Sequence, residues 1–185
     1  MDGCQGSRQL RKADRVYAFV EDGVTAVVAR VFGSRIADIV QASTSDNRLR
    51  TVMGAWGKGT FDNDIALDWA GCLNDTEDLT LIRETIAEVL STGAEYLELE
   101  LACEALAACE VVAWLKGNWS KRDGYTEGVE AWVRQHPVAP PAELVHQAVQ
   151  VLDRIASPPS ELLEEAEGDV EWRAMLTDLR ARVGG

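Results

Sequence analysis

Apolar residues recur at helical spacing along most of the chain after Met53. Such spacing is typical of helices that bury one face against a core. No segment after Met53 shows the alternation of apolar and polar residues that strands show. The pattern predicts an all-α fold: a compact, bundle-like domain of about six or seven helices with short connections. Three of the stripes are Leu79, Ile82, Ile86 and Val89; Leu144, Ala148, Val151 and Ile155; and Trp172, Leu176, Leu179 and Val183.

The longest predicted helix covers roughly residues 96–116 and is apolar around most of its circumference. A helix of that kind belongs at the centre of a bundle. Three carboxylates interrupt it, those of Glu100, Glu104 and Glu110. Partial exposure near kinks or caps would account for them, and a metal site is the alternative.

Polar residues, glycine and proline predict where the helices begin and end. Acceptors at Asp62, Asn63 and Asp64 suit the start of a helix that runs to about Leu73. The other predicted boundaries are a break and cap at residues 74–76, an end at 91–93, a loop at 117–124, a short helix over 126–136, Pro141 in a first turn, an acidic helix from 157 to about 167, and a cap at 168–169.

Residues 1–52 differ from the rest of the chain and are interpreted as an N-terminal extension, or as a stretch upstream of a true start at Met53. Apolar runs at 16–20 and 24–32 flank an Asp-Gly step, which indicates a hairpin. One helix over 24–40 is equally compatible. The extension has 8 Lys and Arg against 6 Asp and Glu, whereas residues 53–185 have 10 against 25. This shift is consistent with a domain boundary at Met53.

The acidic balance of residues 53–185 disfavours nucleic acid and anionic membranes as partners, because both recruit cations. A basic protein partner is compatible with it, since the field of the domain would attract one. The simpler alternative is that the acids keep a small domain soluble.

The four cysteines, Cys4, Cys72, Cys103 and Cys109, form no C-x-x-C pair and have no histidine nearby. Without a signal-like or membrane-spanning apolar stretch, they are predicted to be reduced thiols of a cytoplasmic protein.

The most distinctive segment is residues 53–69, with the sequence MGAWGKGTFDNDIALDW. Its glycines permit a tight path over the domain, and Trp56, Phe61 and Trp69 are candidate anchors in the core. In this structural interpretation Asp62 or Asn63 is the N-cap of the following helix.

In the functional interpretation the same segment is a binding surface. Asp64 and Asp68 lie four residues apart on one helix face, and two carboxylates at that spacing can share a cation or bind a basic side chain. The candidate binding residues are Trp56, Phe61, Asp62, Asn63, Asp64, Asp68 and Trp69.

A carboxylate metal site is the second functional hypothesis, with Asp64, Asp68, Glu100 and Glu104 as candidate ligands. Di-metal bundles also use Glu-x-x-His pairs. The chain has two histidines, His136 and His146, and Glu143 precedes His146 by three on a face that is polar in any case. No cofactor is therefore predicted.

Catalytic motifs are missing from the sequence. It contains no G-x-S-x-G, no phosphate-binding loop and no dinucleotide-binding fingerprint. No catalytic residue is predicted, and the sequence favours a protein that is not an enzyme.

The 53–69 segment resembles the opening signature of the bacterial domain-of-unknown-function family 4259. The helix over 101–115 with Glu104 and Glu110 is similar to the family's central stretch. The Ser160-Glu161-Leu162 step before the closing helix that contains Trp172 also resembles the family. The chain departs from the pattern at 163–166, where the family usually has a Trp. The resemblance implies a small bacterial helical protein and brings no catalytic residues.

Members of that family are similar in size and acidity to immunity proteins that neutralise toxins. The favoured hypothesis is a non-enzymatic module that binds a basic protein, and an immunity-like role is its narrowest form. The alternative is a carboxylate-based metal-binding protein or hydrolase.

Overall fold

The computed structural model describes residues 59–120 and 124–185. Within these ranges the chain folds into seven helices and contains no strand, which confirms the all-α prediction. The described residues do not include the predicted N-terminal extension with its hairpin or helix. They also do not include the predicted boundary at Met53 or the candidate anchor Trp56. The helices are α1 (Asp64–Asn74), α2 (Thr80–Ser91), α3 (Leu99–Leu115), α4 (Glu127–Gln135), α5 (Ala142–Ile155), α6 (Glu161–Glu165) and α7 (Val170–Gly184).

Helix α3 is the centre of the domain, as its all-round apolar surface predicts. Fourteen of its 17 residues are buried, and it contacts each of the other six helices. Many of those residues are alanines, whose small side chains let neighbouring helices approach closely. The carboxylates of Glu104 and Glu110 are also buried in this helix.

The three apolar stripes predicted on α2, α5 and α7 all face the core. Helix α1 adds Trp69, whose indole Nε1 donates a hydrogen bond to Thr85 Oγ1 of α2 at 2.9 Å. Helix α4 adds Trp132, whose Nε1 donates to the Thr76 carbonyl at 2.8 Å. Both of these buried indole N–H groups therefore have an acceptor, as buried polar groups require.

Two helix starts follow the predicted capping chemistry. The Asn63 side chain accepts a hydrogen bond from the Ala66 amide at 2.8 Å, and Asp169 accepts from the amides of Glu171 and Trp172. The predicted cap of α2 at residues 74–76 is wrong. The Thr76 hydroxyl donates back to the Leu73 carbonyl of α1, and Asp78 accepts from the Thr80 amide at the start of α2.

Helix α3 begins at Leu99, three residues later than predicted, because the preceding segment pairs with a distant part of the chain. Leu97 forms an isolated parallel bridge with Ser160. Glu161 then accepts a hydrogen bond from the Leu99 amide at 2.8 Å. A side chain of α6 thus binds the first turn of α3, and α6 itself has only five residues.

Arg154 at the end of α5 holds the same region together. Its guanidinium donates to the carbonyls of Gly93, Glu95, Ser157 and Pro159. Four backbone acceptors from two connections therefore share one side chain.

Cys103 and Cys109 are free and buried in α3, as predicted for reduced thiols. Cys72 is disulfide-bonded, so the prediction of four reduced thiols is wrong for that residue. Within the described ranges, none of the helices has the length and apolarity needed to cross a bilayer.

Candidate functional site

The described part of the distinctive segment begins with a tight turn over residues 59–63, here called the signature turn. The Asp62 amide donates to the Gly59 carbonyl at 3.1 Å, and the Asp62 carboxylate accepts from the Gly59 amide at 2.7 Å. A Cβ atom at position 59 would lie 2.9 Å from Asp62 Oδ2. A larger residue at position 59 would therefore require the Asp62 side chain to shift.

The signature turn inserts an aromatic side chain into the domain. Phe61 is only 4% exposed and packs on Trp114 of α3, with ring centroids 6.0 Å apart. Trp114 in turn stacks on Trp119 at 4.9 Å. Trp69, in the following helix, is 2% exposed. These positions support the structural interpretation for Phe61 and Trp69, because neither offers a surface that a partner could contact.

Beneath the turn lies a buried ion pair that was not predicted from the sequence. Glu110 of α3 is 1% exposed. Its Oε1 accepts from Arg182 Nη1 at 2.6 Å and its Oε2 accepts from Arg182 Nη2 at 3.0 Å. The Thr60 hydroxyl of the signature turn donates to the same Oε2 at 3.3 Å. The prediction that partial exposure accounts for this carboxylate is wrong for Glu110, whose charge is balanced by Arg182 instead.

Arg182 has further partners that fix its position near the end of α7. Its Nε donates to Asp178 at 2.7 Å, and the Asn118 side chain donates to the Arg182 carbonyl at 2.7 Å. Burial acts to lower the pKa of Arg182, but hydrogen bonds and charge from Glu110 and Asp178 outweigh it and raise the pKa above its ordinary value. The guanidinium is therefore charged at all ordinary pH values.

The carboxylates of Asp64 and Asp68 are exposed on α1. In the part of the chain that the structure describes, neither takes part in an ion pair. Asp62 and Asn63, in contrast, are occupied by hydrogen bonds within the turn and the cap. Of the seven predicted binding residues, Asp64 and Asp68 are thus the two shown to present free polar groups to solvent.

The four candidate metal ligands lie on two helices, with Asp64 and Asp68 on α1 and Glu100 and Glu104 on α3. Over residues 59–120 and 124–185, no group of three or more His, Cys, Asp or Glu side chains is placed to hold a metal ion. His136 stacks on Trp132 at 4.4 Å, and His146 is exposed on α5. The geometry of these ranges gives the metal hypothesis no support.

Exposed carboxylates also lie together where the bridge between Leu97 and Ser160 aligns the segment before α3 with the start of α6. We call Glu95, Glu98, Glu164 and Glu165 the acidic ridge, since all four are exposed there. Tyr96 donates its hydroxyl hydrogen to Glu164 at 3.1 Å. Desolvation and this hydrogen bond raise the pKa of Tyr96 to about 12. The sequence shows acids in both segments, but only the fold brings them together.

Comparison with known proteins adds the family. The model of the domain of unknown function DUF4259 matches residues 54–175, a range that includes the signature turn, helices α1 to α6 and the first part of α7. No curated protein and no solved structure matches the chain. Because the matched range is well over half of the sequence, the chain belongs to the DUF4259 family.

Proposed function

We propose that this protein is a non-enzymatic bacterial binding module that captures a basic protein partner through carboxylates on α1. The observation that carries the proposal is the exposure of Asp64 and Asp68, one turn apart and without an ion pair in the described residues. Carboxylates spaced in this way can both reach one Arg or Lys side chain of a partner.

The burial of the aromatic residues limits the kind of contact that α1 can form with a partner. Phe61 and Trp69 are in the core, so the contact formed by α1 is polar rather than a hydrophobic anchor. Polar, charged contacts raise association rates and select partners more than they raise affinity. Binding of this kind is weakened by salt, because surface charges are screened within about 10 Å at 0.1 M ionic strength.

The charge of the chain supports the same class of partner. With 31 Asp and Glu against 18 Lys and Arg, the formal net charge is −13. A field of this sign attracts a basic protein and repels phosphate-rich ligands. The narrowest form of the proposal is an immunity-like role, in which the basic partner is a toxin. That form rests on the family resemblance in size and acidity alone.

The test is capture of partners by the tagged full-length chain from a lysate of its source cells, at low and at high salt, with mass spectrometry. We expect a basic protein in stoichiometric amount at low salt and its loss at high salt. The double variant D64N/D68N should lose this protein. The matched control E95Q/E98Q removes the same charge from the acidic ridge and should retain it.

Two results would contradict the proposal. Equal loss with both double variants would show that net charge, rather than the α1 carboxylates, determines capture. Capture that persists in D64N/D68N and at high salt would show that binding uses another surface.

A further inference from the structure

We infer that Glu110 couples the signature turn to the carboxyl-terminal end of α7, so that the family signature depends on residues beyond the family match. The match ends at residue 175, whereas Arg182 lies seven residues further on. The coupling is conformational and is separate from the proposed binding of a partner by α1.

The coupling arises because one carboxylate serves both partners. Arg182 binds both oxygens of Glu110, at 2.6 and 3.0 Å. A bidentate contact of this kind fixes the plane of the carboxylate as well as its position. The acceptor of the Thr60 hydroxyl, Oε2, is therefore held in place by Arg182.

The end of α7 is itself held by the segment that follows α3. Lys116 Nζ donates to the Val183 carbonyl, and Asn118 Nδ2 donates to the Arg182 carbonyl. Both side chains satisfy carbonyl groups that the last turn of a helix leaves without partners. Because these two hydrogen bonds hold the last turn of α7 in place, they also keep Arg182 beside Glu110.

Displacement of the last turn of α7 would leave Glu110 as a buried charge without its cation. Such a group must reorient, take up water or bind a proton, because an unpaired charge is costly in an apolar interior. Any of these changes alters the acceptor of Thr60 and weakens the seating of Phe61 beside Trp114. Loss of the Thr60 hydroxyl, in contrast, leaves both Arg182 contacts in place.

The test is hydrogen–deuterium exchange of the full-length chain and its variants. The amides of Asp62 and Ala66 report on the signature turn and its cap, since each donates a hydrogen bond there. Exchange over residues 59–66 is compared with exchange over α2, which reports on the rest of the core. The variant Arg182→Met removes the cation, and Arg180→Met is the matched control on the same helix, where Arg180 pairs with exposed Asp153.

We expect R182M to accelerate exchange over residues 59–66 about tenfold relative to α2, and R180M to leave that ratio unchanged. The Thr60 hydroxyl has a second, weaker acceptor in Met175 Sδ at 3.7 Å. Thr60→Val should accelerate the same amides, and the effects of T60V and R182M should be less than additive, because both variants remove the hydrogen bond to a correctly placed Glu110. If R182M does not fold, R182K takes its place, since it keeps the charge but cannot make both contacts.

An unchanged ratio in both R182M and R182K would overturn the inference. Additive effects of T60V and the Arg182 variant would also overturn it, because they would show two independent influences on the signature turn.

Discussion

Arg182 reaches across from the last turn of α7 to bind both carboxylate oxygens of Glu110 in the middle of α3. The pair joins residues 72 positions apart in sequence, and Glu110 is almost fully buried. A buried pair of this kind is fragile to single substitutions, since removal of one partner leaves the other charged and unsolvated.

We expect Arg182→Met to lower the free energy of unfolding by about 3–5 kcal/mol, the cost of an uncompensated buried charge. The double variant E110L/R182M should recover most of that loss, because both charges are then gone. Urea unfolding followed by circular dichroism measures both. Arg180→Met, which breaks the exposed pair with Asp153, should cost less than about 1 kcal/mol. A double variant as unstable as R182M would contradict the buried-charge explanation.

Two glycines provide opposite predictions for the same substitution. Gly71 lies on the exposed face of α1, and an added Cβ would meet no heavy atom within 4 Å. We expect Gly71→Ala to raise the free energy of unfolding by about 1 kcal/mol, because alanine is the better helix former. Gly93 has a φ of +55° after α2, so Gly93→Ala should lower it by about 1 kcal/mol. Thermal unfolding of both variants checks the signs.

The helices could be predicted from the sequence because each has its own local pattern. Leu144 and Val151 of α5, for example, lie on one face by spacing alone, and both are buried. The start of α3 could not be predicted, because it depends on a bridge between Leu97 and Ser160. Contacts between residues so far apart leave no periodic signal in the chain.

In the candidate site, too, a local feature could be predicted and a contact between distant residues could not. Asn63 was one of two predicted caps, and its side chain does bind the Ala66 amide. Arg182 was missed, although it lies one residue before Val183 on a predicted helix. A possible signal was the presence of Glu110 in an otherwise apolar helix, since a buried carboxylate calls for a cation elsewhere in the chain. Nothing in the sequence says which of the basic residues supplies it.

The thiols of Cys103 and Cys109 should be inert in the folded protein. Burial, followed by neighbouring glutamates, raises the pKa of Cys103 to about 12, and burial raises the pKa of Cys109 as well. The thiolate is the reactive form, so neither residue should react with iodoacetamide at about pH 8 until denaturant is added. Mass spectrometry of tryptic peptides identifies the labelled residues, and rapid labelling of either in the native protein would contradict their burial.

The same two thiols predict a loss of stability at alkaline pH. Their pKa values are higher in the folded than in the unfolded chain, where a thiol titrates at about 8.5. Their contribution to the free energy of unfolding is complete below that pH. It is lost progressively above it, because the unfolded chain releases protons that the folded chain retains. At about pH 9.5 the loss is roughly 1 kcal/mol for each thiol. The variant C103A/C109A should show a smaller decrease between about pH 7.5 and 9.5 in urea unfolding.

Arg154 should be difficult to replace even by lysine. Its guanidinium donates to four carbonyls, and an ammonium group cannot reproduce that planar arrangement. We expect Arg154→Lys to lower the free energy of unfolding by about 2 kcal/mol and to increase hydrogen exchange at the Leu97 amide. The matched control is Arg134→Lys, where the only partner of the arginine among residues 59–120 and 124–185 is Glu130, one turn away; its effect should stay within about 0.5 kcal/mol.

The central position of α3 has a consequence for how this domain comes apart. Because α3 contacts every other helix within the described ranges, its departure would remove part of the core of each of them. We therefore expect this part of the chain to unfold in a single transition, without a surviving subset of helices. A protease that acts through unfolding would accordingly produce small peptides and intact protein, with no stable fragment between them.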